Sequence, residues 1–155
     1  MAMLRLGDAG FSSGRARFVD NLLSETHHAR IYVRFRVEDI AETYLALLDT
    51  GAEYSVIAPQ VAQEAGLDAA DGREIVMSHR SGTGNTPGKL VRASVRLCAE
   101  EGEDLIVDAT VFVPSHAWPA GRNFIGYTGL LEAVRLALDP QSNDVYFGGY
   151  NAPAL

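Results

Sequence analysis

The sequence has a single cysteine, a single tryptophan and no long hydrophobic run. One cysteine, Cys98, cannot form an internal disulfide, so nothing in the chain requires an oxidising compartment. The first residues lack the basic start and sustained apolar stretch of a signal peptide, and no run reaches the length that crosses a bilayer. We therefore expect a soluble, cytoplasmic protein with no membrane partner.

Positive charge is also scarce. The chain carries 13 Lys and Arg against 20 Asp and Glu, which gives a formal net charge of −7. A field of this sign repels phosphate backbones and argues against nucleic acid as the main partner. The 155 residues, of which 47% are hydrophobic, suit one domain with a core of its own.

The first 28 residues differ in composition from the rest, because they are rich in glycine, serine and charge and contain few clustered apolar residues. This composition predicts a flexible N-terminal arm over 1–28, with Phe11 and Phe18 as residues that could tie it down. The domain itself is expected over 29–155.

The sequence of the domain predicts mostly β-strands. Apolar and polar residues alternate over 31–37, which predicts a half-buried strand with a period of two. Within 73–97 a Gly- and Pro-containing tip separates two strand-like segments, as in a hairpin. Further strands are predicted over 42–50, 105–115, 124–126 and 143–150. The tally indicates an all-β protein.

Two short helices are also predicted. The first, 58–67, has Pro59 at its start and Gly66 as its stop. The second, 129–139, spaces its apolar residues as a helix does: Leu130, Val134, Ala137 and Leu138.

A carboxylate interrupts the apolar run "LALLDTGAEYSVIAP", residues 45–59. Such a charge is costly unless it is paired or hydrogen-bonded, so Asp49 needs a partner. Thr50 can fix the loop by a hydrogen bond, Gly51 permits close approach of another backbone, and Ala52 leaves room beside the acid. The simplest alternative is a strand-end turn in which Asp49 bonds only local backbone.

The tetrad Asp49-Thr50-Gly51-Ala52 resembles the active-site turn of the retropepsin-like aspartic proteases. Three further features follow in that family's order. The tip "SGTGNTPGK" resembles the flap that closes over substrate, "FIG" (124–126) resembles the apolar-apolar-Gly element beside the catalytic turn, and "LDPQSNDVYFG" resembles the closing strand. The resemblance covers approximately 30–149 and implies a closed β-barrel with one or two short helices, one lobe per chain.

The resemblance implies an aspartic endopeptidase. Hydrolysis by water needs a base and an acid, and two close aspartates supply both by sharing one proton. The chain has one Asp-Thr-Gly, so a second copy of Asp49 must supply the other acid across a two-fold axis. A homodimer is therefore expected, with a peptide or protein substrate and no cofactor. The resemblance also implies substrate-binding residues, namely Glu53, Ser81, Gly82, Thr83, Gly84, Ile125 and Gly126.

Two other interpretations stay open. Tyr127 and Thr128 stand where the family often has Arg or Met and then Asn or Asp, which favours a catalytically silent module that dimerises or binds peptide. A protease that acts only on its own arm or on one partner is the third interpretation. No metal is expected, because the histidines lack a Cys or carboxylate cluster of suitable spacing: His27, His28, His79 and His116.

Overall fold

A computed structural model describes residues 3–20, 30–78, 84–116, 118 and 120–150. Within these ranges the chain forms fourteen strands, one α-helix and one 3-10 helix. The four N-terminal strands are β1 Arg5–Leu6, β2 Ala9–Gly10, β3 Gly14–Arg17 and β4 Val19–Asp20. The remaining strands are β5 Ile31–Val37, β6 Tyr44–Leu48, β7 Ser55–Val56, β8 Arg73–Ser78, β9 Asn85–Leu97, β10 Glu101–Gly102, β11 Leu105–Pro114, β12 Asn123–Ile125, β13 Val134–Asp139 and β14 Asp144–Gly149. The helices are α1 Pro59–Glu64 and the 3-10 helix Leu131–Ala133.

Six of the strands close into a barrel. Their order is β5-β6-β12-β7-β11-β9, and β9 pairs again with β5. Closure leaves these strands without free edges, and alternate side chains fill the interior, among them the fully buried Phe35, Val95 and Val111. The predicted all-β closed barrel with short helices and one lobe per chain is confirmed.

The arrangement around β12 positions the site. β12 runs parallel to β6 and antiparallel to β7, so it lies between the strands that enter and leave the 49–54 loop. β8 and β9 form an antiparallel hairpin, and among the described strands β8 pairs with β9 alone. The barrel therefore holds the loop at one end, with the hairpin beside it.

The described part of the predicted arm, residues 3–20, is built into the sheets rather than loose. β3 pairs with β14 in a second sheet of order β10-β3-β14-β13, and β4 pairs with β5 of the barrel. Gly14 of β3 packs closely against the backbone of Glu103, because a Cβ at Gly14 would lie 2.3 Å from the carbonyl oxygen of Glu103. Residues 21–28 lie outside the described ranges, so the boundary near 28 stays a prediction.

The helix predicted over 129–139 is wrong. The segment forms the short 3-10 helix and then β13, which pairs with β14 from Val134↔Gly149 to Asp139↔Asp144. Pairing with β14 outweighs the local helical spacing, and Leu138 is left 41% exposed. The helix predicted from Pro59 is confirmed as α1, and Gly66 follows it with a φ of +73°. No helix in the described ranges is both long and apolar enough to span a bilayer.

Candidate active site

Asp49 follows the last residue of β6 and begins a tight turn. The amide of Ala52 donates to the carbonyl oxygen of Asp49 at 3.2 Å, and the amide of Gly51 donates to Asp49 Oδ1 at 2.9 Å. The amide of Asp49 donates to the carbonyl oxygen of Ile125 at 3.0 Å, which fixes the start of the turn to β12. The local backbone bond expected of a strand-end turn is therefore present.

That local bond satisfies only one of the two carboxylate oxygens. Asp49 Oδ2 accepts no hydrogen bond from a described residue, and Asp49 forms no ion pair with one. The side chain is partly exposed. Because a carboxylate has two oxygens and about four acceptor positions, the second oxygen is available to a water molecule or another carboxyl group.

The "FIG" element supports the turn from behind. The buried amide of Gly126 donates to Ser55 Oγ at 2.9 Å. A Cβ at Gly126 would lie 2.4 Å from the carbonyl oxygen of Tyr54, so only glycine fits there without a shift of backbone. Ser55 has no signal in the sequence beyond a small polar residue among apolar neighbours, and sequence reasoning missed it.

The two residues after Gly126 also hold the turn through their backbones. The amide of Tyr127 donates to the carbonyl oxygen of Ala52 at 2.9 Å, and the amide of Thr128 donates to that of Glu53 at 2.7 Å. Backbone groups make these bonds, so the bracing does not depend on the side chain at either position.

A groove of about 470 Å³ opens in front of the turn. Its floor carries Asp49 and the residues that follow it. The flap strand β8 and the loop before β12 supply apolar walls. The lining residues are Asp49, Gly51, Ala52, Glu53, Tyr54, Val56, Ile75, Val76, Met77, Ser78, Trp118 and Phe124. The groove thus joins the carboxylates of Asp49 and Glu53 to apolar walls, a combination that is usual in a ligand site.

Trp118 forms part of this wall in a fixed orientation. Its indole Nε1 donates to the carbonyl oxygen of Arg122 at 2.8 Å, and its ring meets Phe124 edge-on with centroids 6.0 Å apart. Phe124 packs in turn on a small cluster that includes Val56 and Phe112.

The β8–β9 hairpin corresponds to the predicted flap. Its last described pair is Ser78↔Asn85. Three predicted substrate-binding residues of its tip lie outside the described residues, namely Ser81, Gly82 and Thr83. Gly84 is described and exposed, with a φ of +121° that suits a glycine in a hairpin tip.

The other predicted site residues fall into two groups. Gly51, Ala52 and Glu53 line the groove with Asp49, and Thr50 lies exposed on the same turn. Ile125 and Gly126 are buried behind the turn and do not line the groove of the single chain, so the substrate contact expected of them stays a prediction. Their backbones instead bond Asp49 and Ser55.

Comparisons with known proteins agree with this architecture. Residues 33–108 match a family model described as aspartyl protease. The structure is similar to a retropepsin-like aspartic protease from Rickettsia conorii, with a TM-score of 0.53 and 16% identity, over 88% of this chain and 90% of that chain. It is also similar to the retroviral protease-like domain of Ddi1 from Leishmania major, with a TM-score of 0.51 and 20% identity, over 80% of this chain and 98% of that chain. No curated protein matches the sequence.

The fold and the acid turn thus define a retropepsin-like β-barrel. The predicted resemblance to the retropepsin-like aspartic protease family is confirmed, and the segment matched by the aspartyl protease family includes the Asp49 turn.

Proposed function

We propose that the protein is an aspartic endopeptidase that works as a homodimer. The observation that carries the proposal is the position of Asp49, at the floor of the groove with one carboxylate oxygen held by Gly51 and the other without a described partner. Because the chain holds one Asp-Thr-Gly, the second acid comes from Asp49 of another copy. A water molecule between the two carboxyl groups would attack the scissile carbonyl.

The two acids divide the proton transfers between them. The ionised carboxylate takes a proton from the attacking water, and the protonated one gives a proton to the carbonyl oxygen. Two carboxyl groups that lie in direct contact share one proton, because two neighbouring negative charges repel each other and both groups cannot ionise easily. The same pair then protonates the leaving amine, so the reaction needs no cofactor.

The substrate is an extended peptide. It would lie between the floor residues Ala52 and Glu53 and the flap, with Gly84 and the neighbouring tip residues Ser81, Gly82 and Thr83 above it. The inner face of β8 presents Ile75 and Met77 to the groove, and Trp118 faces the same space. Apolar side chains on either side of the scissile bond therefore suit the walls.

The bracing of the turn supports an enzyme over a silent module. Tyr127 and Thr128 favour a silent module only if their side chains are needed to brace the turn, as those of the residues that the family often has there would be. Here their amides hold the turn, and these bonds need no particular side chain.

The test compares the wild-type protein with Asp49→Asn on a broad peptide pool at acidic to neutral pH. We expect cleavage by the wild type and none by the variant, which keeps the shape of the carboxyl group but cannot ionise. Asp108→Asn is the matched control, because Asp108 lies exposed on β11 and pairs only with the exposed Arg92 among its described neighbours. Cleavage by Asp49→Asn, or by a protein that stays monomeric at every concentration in light scattering, would overturn the proposal.

The other two interpretations give different results in the same assay. A wild-type dimer that binds but cleaves no peptide would indicate the silent module. Cleavage confined to the chain's own N-terminal segment, seen by mass spectrometry, would indicate self-processing.

A further inference from the structure

Tyr127 is an exposed aromatic residue directly beside the acid turn. Its residue surface is 53% exposed, although Gly126 before it is buried. Its amide donates to the carbonyl oxygen of Ala52 at 2.9 Å, and its carbonyl oxygen accepts from the amide of Glu132 at 3.0 Å. The backbone is therefore fixed, while the phenol forms no hydrogen bond or ring contact with a described residue.

Tyr127 does not serve the groove of its own chain. The groove is lined by the floor residues, the second half of β8, Trp118 and Phe124, and Tyr127 is not among them. A rigidly mounted tyrosine that is half exposed is typical of an interface, since it offers a large apolar area, a polar tip and little rotamer entropy to lose. The position suits contact with another molecule that approaches the acid turn from outside the groove.

A second copy of this chain is the molecule that must approach there. The bond between the Ala52 amide and the Asp49 carbonyl closes a β-turn, which keeps the Cα atoms of these two residues within about 7 Å. Tyr127 is bonded to Ala52, so two copies that bring their Asp49 carboxyl groups together also bring together the surfaces that carry Tyr127. In a two-fold contact the same residue serves on both sides.

We propose that Tyr127 is the aromatic anchor of the contact between two copies, so that docking of Tyr127 and assembly of the Asp49 pair are one event. The proposal rests on the proposed function, because the half-site identifies the partner. The net charge of −7 per chain opposes self-association and makes an uncharged contact at this position more important. An active site formed in this way exists only in the dimer.

The test measures the dissociation constant of the dimer by sedimentation for the wild type, Tyr127→Ala and Tyr127→Phe. All are made in the Asp49→Asn background as well, so that the result does not depend on cleavage. We expect Tyr127→Ala to weaken the dimer by about tenfold or more, because an anchor is lost from both subunits, and Tyr127→Phe to weaken it less. In the active background, cleavage by Tyr127→Ala should fall at low protein concentration and recover at high concentration.

Ile106→Ala is the matched control. Ile106 is similarly exposed, at 56%, but lies six residues before Phe112 on β11, about 20 Å along the strand from the groove end of the barrel. Its dimer should dissociate as the wild type does.

A dissociation constant for Tyr127→Ala equal to that of the wild type overturns the proposal. So does a raised KM with unchanged dimerisation, which would assign the ring to the substrate. Circular dichroism and thermal unfolding check that Tyr127→Ala is folded, and the isosteric Tyr127→Phe keeps the test valid if it is not. A wild-type dimer that cleaves nothing refutes the proposed function and leaves the Tyr127 contact to be decided by the dissociation constants.

Discussion

The buried hydroxyl of Ser55 accepts the amide hydrogen of Gly126 across 2.9 Å. This bond links β7 to the residue that follows β12, directly behind the Asp49 turn. The two residues after Gly126 then donate their amides to the turn itself. Ser55 therefore positions the site without touching the groove.

Replacing Ser55 by alanine should weaken both the fold and the site. The variant leaves the buried amide of Gly126 without its acceptor, which costs about 1–3 kcal/mol in the free energy of unfolding. Urea denaturation measures this loss, and Ser94→Ala on the exposed face of β9 is the control. Equal unfolding free energies for Ser55→Ala and the wild type would contradict a positioning role for this hydroxyl.

Gly126→Ala should reduce the rate of cleavage by more than the small size of the added methyl group suggests. The new Cβ would lie 2.4 Å from the carbonyl oxygen of Tyr54, so the backbone behind the turn must move. Overpacking of this kind costs about 1–3 kcal/mol and would displace the Asp49 turn, which the amides of the two residues after Gly126 hold. Kinetics and thermal unfolding measure both effects. At Gly149 the nearest heavy atom to an added Cβ is 3.6 Å away, so Gly149→Ala should be tolerated; if both variants behave alike, close approach does not explain Gly126.

The sequence predicts those features that depend on local pattern. Alternation predicted β5, and the Asp49 tetrad predicted the turn and the resemblance to the retropepsin-like family. The segment 129–139 was wrongly predicted as a helix, because its spacing fits a helix while its pairing partner, β14, stabilises a strand. Ser55 was missed for a similar reason, since its role depends on Gly126, 71 residues further along the chain.

The N-terminal segment shows most clearly that local pattern does not reveal contacts between residues far apart in the chain. Its glycines and charges resemble a loose arm, yet Arg15 is buried and bonds Asp144 at 2.5 Å and Glu101 at 2.8 Å. A buried charge is tolerated only when it is paired, and both partners of Arg15 lie far along the chain. Composition alone could not reveal this pairing.

The Arg15–Asp144 pair predicts a loss of stability in acid. Burial opposes ionisation of Asp144, but hydrogen bonds from Ser142 and Arg15, together with the positive charge of Arg15, outweigh it and hold the pKa of Asp144 below its ordinary value. Because the folded pKa lies below the unfolded one, the ionised group stabilises the native state above the unfolded pKa. That contribution is lost as the pH falls through the folded pKa.

Asp144→Asn should therefore remove part of the acid dependence of the urea midpoint. The exposed pair Arg92–Asp108 supplies the control, since Asp108→Asn should change that dependence little. An acid dependence in Asp144→Asn as steep as that of the wild type would show that other groups account for it. Arg15→Ala should destabilise the protein at neutral pH more than Arg92→Ala does, because it leaves Asp144 buried without its cation.

Trp118 should set the preference of the groove for large apolar side chains. Its ring is fixed by the bond to the Arg122 carbonyl oxygen and by edge-on contact with Phe124, so it presents a rigid wall rather than a mobile lid. Trp118→Ala removes this wall and leaves the Asp49 turn in place.

The measurement compares two peptides, one with phenylalanine and one with alanine beside the scissile bond. We expect Trp118→Ala to lower the ratio of their kcat/KM values, phenylalanine over alanine, by about tenfold. Trp118→Phe, which keeps a ring but loses the indole N–H, should give an intermediate ratio. Ile106→Ala also removes an exposed apolar side chain, but on β11 away from the groove, and should leave the ratio unchanged. If Trp118→Ala keeps the wild-type ratio, selection depends on other walls of the groove, and the indole serves only to anchor the loop before β12.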